Sequence, residues 1–378
     1  MNWFVEKNDA TQWRLPKGWL ERGKCCRRGG GWLLAVLGCF LIPGERSVKA
    51  QSSALRYGEG VPPAVRRITE RALDYLATTQ LPDGSWAGSQ NGAGVTGICV
   101  MGLMASGEDP DFGPYAQVIR RALRRIILDQ DATTGLLTGE GHGSMYHHGF
   151  AQLALSEAYG VVNERLLWEG TAIPVEDRRS IAEALELAIR CVLTAQRENA
   201  WKAWRYSPGS TDADTTVSGT VLMGLLGARN SGIEIPDEAI EEALGFFRTN
   251  TGPDGNVAYQ PGRSHGDGIT RTAIATLVYA VAKRKHSMEY QRVAESIRRR
   301  AAENVNAHPF YYRYYMAQAL FQSDLETWKT WNQRITGQLQ QMQAQDGSFA
   351  SGYGKAYATG MSVLALALNY RLLPVYER

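Results

Sequence analysis

The sequence alternates six times between a charged, amphipathic helical segment and a segment that is apolar on nearly every side. An amphipathic helix buries one face, whereas a helix that is apolar all round needs neighbours on every side. No stretch shows the two-residue alternation of a strand over any length. Six apolar helices that close into an inner ring, with the amphipathic helices outside, would satisfy this need. The sequence therefore predicts an all-α fold, an α6/α6 toroid of six helical hairpins with inner and outer helix rings.

The six helix pairs follow one another through loops rich in glycine. The predicted outer helices cover 65–76, 115–130, 176–196, 236–249, 290–304 and 325–342, and the predicted inner helices cover 94–106, 145–160, 211–229, 268–282, 311–321 and 356–369. All inner helices of such a toroid start at one rim, where their N-terminal N–H groups and partial positive charges would converge. We therefore expect a functional site at this rim and in the funnel behind it.

The N-terminal segment 1–50 has the pattern of a targeting signal. Lys24, Arg27 and Arg28 precede an apolar run at 32–42, which is too short to span a bilayer comfortably. Residues 48–50, Val-Lys-Ala, offer small side chains for cleavage before Gln51. We expect a leader at 1–50, a linker at 51–64 and a single toroid domain at 65–378. Export to the periplasm or the outside follows from this leader, and an uncleaved anchor is the alternative.

Charge and cysteine content exclude several function classes. The net charge of +3 gives no reason to expect a nucleic acid partner. Cys99 and Cys191 fall inside predicted helices without metal-ligand spacing, which favours buried free thiols over a disulfide between them. We find no phosphate-binding or dinucleotide-binding motif. The sequence indicates neither a cofactor nor a metal site.

One predicted inner helix begins with two acidic residues. In the segment 211–229, Asp212 and Asp214 directly precede a long apolar run. An acid at this position either caps the helix through backbone N–H groups or takes part in chemistry. The small residues of this helix share one face, where a neighbouring backbone can approach closely: Thr216, Thr220, Gly224 and Gly227.

Two short segments resemble a known repeat. The segments QLPDGSW at 80–86 and QAQDGSF at 343–349 resemble the QW repeats of squalene–hopene and oxidosqualene cyclases. Residues 143–160, 212–232 and 357–378 are similar to exported bacterial prenyltransferase/squalene-oxidase-repeat proteins. The resemblance implies the α/α toroid that terpenoid cyclases share with protein prenyltransferase β subunits, and it covers the chain from Arg66 to about Tyr370.

The acidic pair gains a specific meaning from this resemblance. The segment DADTT at 212–216 resembles the DxDD motif with which class II terpene cyclases protonate an alkene or epoxide. Asp214 matches the proton-donating acid and Asp212 the first acid, while Thr215 stands where the motif has its last aspartate. The implied function is a class II-type cyclase or isomerase that protonates an isoprenoid from Asp214. A neutral carboxylic acid is needed for this, held by burial and a hydrogen-bonding neighbour.

Polar and aromatic side chains at the predicted rim are candidates for substrate binding. Aromatic faces can stabilise a carbocation, bind a sugar or simply pack. We expect a small apolar ligand or isoprenoid, and peripheral membrane association, for a protein of this kind. The candidate substrate-binding residues are Tyr146, His147, His148, Trp204, Tyr206, Asp267, Tyr311, Tyr312 and Tyr357.

Two other functions stay open from the sequence. The cyclases that carry the full motif use two helical barrels, whereas this chain is long enough for one, so a secreted toroid that binds a ligand or protein without catalysis is one alternative. A carbohydrate-active toroid is the other, with Glu140, His147, Asp214 and Asp267 as acid–base candidates. A zinc-dependent prenyltransferase is disfavoured, because no Cys accompanies His265 and Asp267.

Overall fold

The computed structural model of the protein describes residues 60–89, 91–139, 143–263 and 268–372. The predicted leader at 1–50 lies outside the described residues, as does the linker up to residue 59. Isolated two-residue bridges are the only β-type pairs in the part of the chain that is described. The all-α prediction is therefore confirmed.

The helices follow one another as outer and inner members of a pair. In chain order they are α1 (Pro63–Thr79), α2 (Ala93–Ala105), α3 (Ala116–Leu128), α4 (Ser144–Ala158), α5 (Glu164–Leu167), α6 (Ile181–Glu198), α7 (Thr215–Asn230), α8 (Asp237–Asn250), α9 (Ile269–Val281), α10 (Met288–Arg299), α11 (Pro309–Ser323), α12 (Leu325–Met342) and α13 (Lys355–Leu366). The inner ring consists of α2, α4, α7, α9, α11 and α13, and α5 is a short extra turn.

The inner helices are buried because they surround one another. Every residue of α2 is buried, and the same holds for nearly all of α7 and α9. Each inner helix contacts the next one along the chain, and α13 contacts α2, which closes the ring. Burial on all sides is what an all-round apolar pattern requires. The α6/α6 toroid is confirmed.

Some helix boundaries differ from the expected ones for local reasons. Helix α6 begins at Ile181 rather than at 176, because Ser180 and Glu183 form a reciprocal capping box. Residues Val175–Asp177 before it form a 3₁₀ turn. Helix α10 ends at Arg299 rather than at 304, and α13 passes into a 3₁₀ turn at Ala367–Asn369. The short helix α5 was not predicted.

A glutamine at the end of an outer helix ties it to the next outer helix. Gln80 Nε2 donates to the Gly84 carbonyl at 3.0 Å and to the Val118 carbonyl at 2.9 Å. Gln343 Nε2 donates in the same way to Gly347 and Ile68, both at 2.9 Å, and thereby joins the last outer helix to the first. The bonds to Gly84 and Gly347 satisfy turn carbonyls, and those to Val118 and Ile68, which lie inside helices, hold the neighbouring outer helices together.

The two cysteines of the described chain are free thiols, and the described helices are too short or too polar to span a membrane. Cys99 and Cys191 are both buried and free, so no disulfide joins them. Burial raises the pKa of the Cys191 thiol to about 11, which makes it a poor nucleophile. None of the described helices is long and apolar enough to cross a membrane.

The turn that closes the ring requires glycine at Gly347. Its φ is +86°, and a Cβ atom there would lie 2.1 Å from the carbonyl oxygen of Arg71 on α1. Both the backbone conformation and the contact exclude a larger residue.

We predict that Gly347→Ala lowers the free energy of unfolding by about 1–3 kcal/mol, because α1 and α12 must move apart. Gly352→Ala is the matched control, since a Cβ there meets nothing within 4 Å, and we expect it to stay within about 0.5 kcal/mol of the parent protein. Urea unfolding followed by circular dichroism measures both variants. Equal stability of the two would contradict a close approach at this turn.

Candidate functional site

A cavity of about 580 Å³ opens where the inner helices begin. All six inner helices contribute lining residues from their first turns or the loops before them. Its volume is in the range of small-molecule pockets. The expected position of the site at the rim and in the funnel therefore coincides with a cavity of suitable size.

Aromatic side chains form much of the cavity wall. The Tyr311 ring packs edge-on against Tyr146 and Phe150, with centroid distances of 6.2 and 6.3 Å. Edge-to-face packing of this kind is a favourable arrangement of aromatic pairs and holds the rings in fixed orientations. The aromatic residues that line the cavity are Tyr146, Phe150, Tyr206, Tyr259, Tyr311, Tyr353 and Tyr357.

Asp214 caps helix α7 with one of its two carboxylate oxygens. Its Oδ1 atom accepts from the backbone N–H groups of Thr216 and Val217, both at 2.9 Å, and from the Thr216 hydroxyl at 2.6 Å. This is the geometry of an N-cap aspartate at the positive end of a helix. Capping is therefore one role of Asp214 in this structure.

The other oxygen of Asp214 is buried without a hydrogen bond. Asp214 is fully buried, and its Oδ2 atom has no hydrogen-bond partner among the described residues. The Nε atom of Arg205 lies 3.8 Å away, which is too far for a hydrogen bond. Burial raises the pKa of Asp214, and the bonds from Thr216 and Val217 and the charge of Arg205 oppose this without reversing it. Burial thus favours the neutral acid.

A chain of hydroxyl groups connects Asp214 with the cavity. The Thr216 hydroxyl donates its single proton to Asp214, so the Tyr146 hydroxyl, 2.6 Å from Thr216 Oγ1, must act as the donor in that contact. Both Tyr146 and Thr216 line the cavity. Asp214 itself is not among the lining residues and lies one side chain behind the cavity wall.

Backbone contacts fix the loop that carries the acid. The Asp214 N–H donates to the Trp204 carbonyl at 3.1 Å, and the Thr215 N–H donates to the Tyr259 carbonyl at 3.0 Å. The Thr215 hydroxyl donates to the Ala258 carbonyl at 3.0 Å. Thr215 therefore anchors the neighbouring loop, and the hydroxyl that polarises Asp214 belongs to Thr216.

Asp212 occupies a different environment from Asp214. Its side chain is half exposed and forms an ion pair with Arg205 Nη1. Gln260 Nε2 donates to the same carboxylate oxygen, Oδ2, at 3.3 Å. The structure thus links the two acids through Arg205 rather than through a direct contact.

The predicted binding residues divide into two groups. Tyr146, His147, Tyr206, Tyr311 and Tyr357 line the cavity. His147 Nδ1 accepts from the Gly94 N–H at 3.2 Å, which assigns the ring proton of a neutral His147 to Nε2. These five residues lie together at the starts of α4, α11 and α13 and in the loop before α7.

The other predicted residues do not line the cavity. Trp204 Nε1 donates to the Val192 carbonyl on α6 at 2.8 Å, so its indole packs between the rings of helices. His148 accepts from the Leu137 N–H at 3.1 Å, and complete burial lowers its pKa to about 4. Tyr312 is buried away from the cavity. Asp267 lies outside the described residues, as do Glu140 and His265.

Several site residues escaped the sequence reasoning. Arg205 lies between Trp204 and Tyr206, both of which were singled out, but an isolated arginine in a loop carries no signal. Tyr259 and Phe150 contribute rings, and Arg271 contributes the one guanidinium group among the described lining residues. A systematic survey of the aromatic residues in each pre-helix loop would have found Tyr259.

The described part of the chain limits the chemistry of the cavity. None of its described lining residues is an aspartate or glutamate. No three His, Cys, Asp or Glu side chains within the described ranges converge on a point that could hold a metal ion. The described residues thus provide a buried acid, hydroxyl groups and aromatic faces.

Comparisons with known proteins give structural matches only. No family model matches the sequence, and no curated protein matches it. The type II terpene cyclase MstE from Scytonema is similar in structure at a TM-score of 0.55 and 15% identity, over 82% of this chain and 99% of that chain. A protein from Actinoplanes is similar at a TM-score of 0.55 and 14% identity, over 81% of this chain and 99% of that chain. An MstE variant in complex with its substrate, geranylgeranyl dihydroxybenzoate, is similar at a TM-score of 0.53 and 16% identity, over 82% of this chain and 98% of that chain. This chain shares the α/α-toroid fold of these proteins.

The raised pKa of Asp214 predicts an unusual dependence of stability on pH. A folded-state pKa above the unfolded value means that Asp214 disfavours the folded chain increasingly as pH rises above about 4. Asp346 is the matched control of opposite sign, since its bonds with Ser348 and Lys355 lower its pKa to about 2. Its contribution to stability is lost as pH falls from about 4 toward 2.

We therefore expect Asp214→Asn to gain stability relative to the parent protein as pH rises from 4 to 7, and Asp346→Asn to gain relative to it as pH falls below 4. Urea unfolding at a series of pH values measures both differences. Parallel stability curves for Asp214→Asn and the parent protein would show that Asp214 ionises normally.

Proposed function

We propose that the protein is a terpenoid-cyclase-like enzyme that protonates an isoprenoid from Asp214 and cyclises or isomerises it in the aromatic cavity. The observation that carries this proposal is the carboxyl group of Asp214, which is buried directly behind the cavity wall. Its pKa is raised, and its Oδ2 atom has no hydrogen-bond partner. A carboxyl group that only caps a helix needs neither of these properties.

The two oxygens of Asp214 suit the two states of a general acid. Oδ1 accepts three hydrogen bonds, so the proton of the neutral acid belongs on Oδ2. When this proton moves to an alkene carbon, the alkene electron pair forms the new C–H bond and leaves a carbocation. Loss of a proton from a neighbouring carbon to water at the cavity mouth then gives the neutral isomer. The helix N-terminus and the Arg205 charge then stabilise the carboxylate that remains. These groups make a neutral acid a stronger proton donor.

The cavity suits a carbocation and an apolar chain. Tyrosine and phenylalanine rings come from three inner helices, α4, α11 and α13, and from the loops before α7, α9 and α13. An aromatic face attracts a cation by about 0.5–2 kcal/mol, more where water is excluded. The apolar residues Val95 and Ile98 complete the wall beside α2. An isoprenoid chain is the ligand that this combination fits best.

The structural neighbours support a single toroid as sufficient for such an enzyme. The cyclases that carry the full DxDD motif use two helical barrels, whereas this chain is long enough for one. The matched MstE chain is aligned over 99% of its length to 82% of this chain, so it is about as long as the toroid described here. That protein is a type II terpene cyclase, and its substrate carries a geranylgeranyl group. We take a ligand of the same class as the first choice for this chain.

Binding without turnover is the second candidate function. The position of Asp214 behind Thr216 and Tyr146 favours it, because no described atom of the acid lines the cavity. The carbohydrate-active alternative has less support, since it needs two facing carboxyl groups and the described lining residues include none. Glu140 and Asp267, its other candidates, lie outside the described residues.

We also propose export and peripheral membrane association for the protein. The basic residues and the short apolar run within 1–50 support export. An isoprenoid ligand is itself membrane-soluble, which supports contact with a membrane surface. No nucleic acid or cofactor enters this proposal.

The general-acid role predicts a specific result for Asp214→Asn. Asparagine keeps an N-cap oxygen but has no proton acidic enough for an alkene, so turnover should fall by at least about 10³-fold with the fold intact. Farnesyl, geranylgeranyl and squalene compounds are incubated with the protein in H₂O and in D₂O, and products that are isomers of the substrate in H₂O are sought by mass spectrometry. We expect one solvent deuterium per product molecule, since the proton of Asp214 exchanges with water.

Asp346→Asn serves as the control for this experiment, because it makes the same change at an exposed turn far from α7. Full activity of Asp214→Asn would overturn the proposed mechanism. Binding of these compounds without any conversion would instead establish the second candidate function.

The aromatic wall predicts a preference for cationic ligands. Dodecyldimethylammonium should bind more tightly than dodecanol, and Tyr353→Leu should remove about 0.5–2 kcal/mol from the affinity for the ammonium compound and less from that for the alcohol. Phe112→Leu is the control, because Phe112 is exposed outside the cavity. Isothermal titration calorimetry measures the six affinities, those of the two ligands for the parent protein and for each variant. Equal losses for both ligands would exclude a cation–π contribution from Tyr353.

A further inference from the structure

Two buried polar atoms without hydrogen bonds face each other behind the cavity. They are Asp214 Oδ2 and Arg205 Nε, and 3.8 Å separates them. Each would cost free energy as an isolated buried polar group, and together they are one short movement away from a charge-assisted hydrogen bond. A closure of roughly 1 Å would complete that bond.

Arg205 is held in this position by groups other than Asp214. Its Nη1 atom pairs with Asp212 Oδ2, and its guanidinium carbon lies 5.1 Å from the Tyr206 ring centroid and 5.9 Å from that of Tyr259. The Tyr206 and Tyr259 hydroxyls are hydrogen-bonded to each other at 2.5 Å, which fixes the two rings. The guanidinium group therefore rests against two aromatic rings and an outer carboxylate.

The loop also fixes the carboxylate that holds Arg205. Asn199 Nδ2 donates to the Asp212 carbonyl at 3.0 Å and to the Ser210 carbonyl at 2.8 Å. Gln260 Nε2 donates to the Asp212 side chain from the loop before α9. Asp212 is thus anchored on the solvent side of Arg205, opposite the buried acid.

We propose that Arg205 is a movable counter-ion of Asp214, held away from the neutral acid by Asp212 and drawn onto Oδ2 when the acid loses its proton. The movement breaks no covalent bond of Arg205, so it requires no further reactant. Its catalytic meaning rests on the proposed function, but the pairing of Arg205 with Asp214 does not. In this arrangement Arg205 and Asp212 are positioning residues that set how readily Asp214 ionises.

The other groups around Asp214 stay neutral near pH 7 or lie beyond Arg205. Tyr146 on α4 and Tyr259 in the loop before α9 interact with the Asp214 charge, and burial raises the pKa of both phenols. Asp212 is ion-paired with Arg205 and acts on Asp214 through it. The titratable residues at 140, 265 and 267 lie outside the described ranges. Arg205 is therefore the nearest described cation that can respond to ionisation of Asp214.

The proposal is tested by titrating Asp214 in the full-length protein without any substrate. Aspartate labelled with ¹³C at Cγ gives a carboxyl resonance whose shift follows protonation, and the Asp214→Asn variant identifies it. We expect Arg205→Gln to raise the Asp214 pKa by about one unit or more, because the opposing charge is lost. Arg205→Lys, which keeps the charge, should restore most of the shift.

A double substitution separates this mechanism from plain repulsion between the two acids. Asp212→Asn should lower the Asp214 pKa, because the released guanidinium closes onto Oδ2. Direct repulsion between the two carboxylates also predicts a lower Asp214 pKa in Asp212→Asn. A shift caused by repulsion would persist when Arg205 is absent. We expect the shift to disappear in the Arg205→Gln, Asp212→Asn double variant. Near-ultraviolet circular dichroism confirms that each variant is folded.

An unchanged Asp214 pKa in Arg205→Gln would show that Arg205 is not the counter-ion of Asp214. If Asp212→Asn lowers the Asp214 pKa as much in the double variant as it does alone, Asp212 does not hold Arg205 away from Asp214. Neither result depends on turnover. Absence of any reactive isoprenoid would instead remove the proposed function and leave the ion-pair measurement standing.

Discussion

The close approach of α4 and α7 is the contact on which the site depends. A Cβ atom at Gly149 would lie 2.8 Å from the backbone of Thr220, and one at Gly224 would lie 3.2 Å from the Gly149 carbonyl. Only glycine allows two helix backbones to come so near. Because both helices start at the cavity, this contact brings Tyr146 and Thr216 within hydrogen-bond distance. The hydroxyl chain to Asp214 is therefore a consequence of glycine packing one to two turns deeper in the ring.

The inner ring was predictable because its signal is strong and repeated. Each of the six apolar helices needs neighbours on every side, which a closed ring inside a second ring provides. The small residues of α7 already indicated the face that meets α4. The acid at the start of α7 was equally visible in Asp212 and Asp214. What the sequence could not supply was the rotation of the other inner helices, since a residue on an all-round apolar helix has no polar face to orient it.

This limit explains which candidate residues line the cavity and which do not. His147 and His148 are adjacent on α4, and a step of one residue turns the side chain by about 100°. One of them faces the cavity and the other reaches α6 through the Ala188 carbonyl. Tyr311 and Tyr312 separate for the same reason. Arg205 was missed because its meaning comes from Tyr259 and Asp214, which are distant in sequence or buried by the fold.

Asp214 carries more than a helix cap requires. Serine, threonine or asparagine would cap α7 about as well, and none of them would bury a carboxylate oxygen without a partner. Leaving such an oxygen unsatisfied costs on the order of 1–3 kcal/mol or more. Local costs of this kind in a well-packed protein concentrate where function requires them. The same group lies at the positive end of a helix, beside a guanidinium group held just out of contact, and behind a wall of aromatic rings. Each of these features would stabilise charge that appears only after a proton leaves Asp214, and together they support the proposed role of Asp214 as an acid beside its role as a cap.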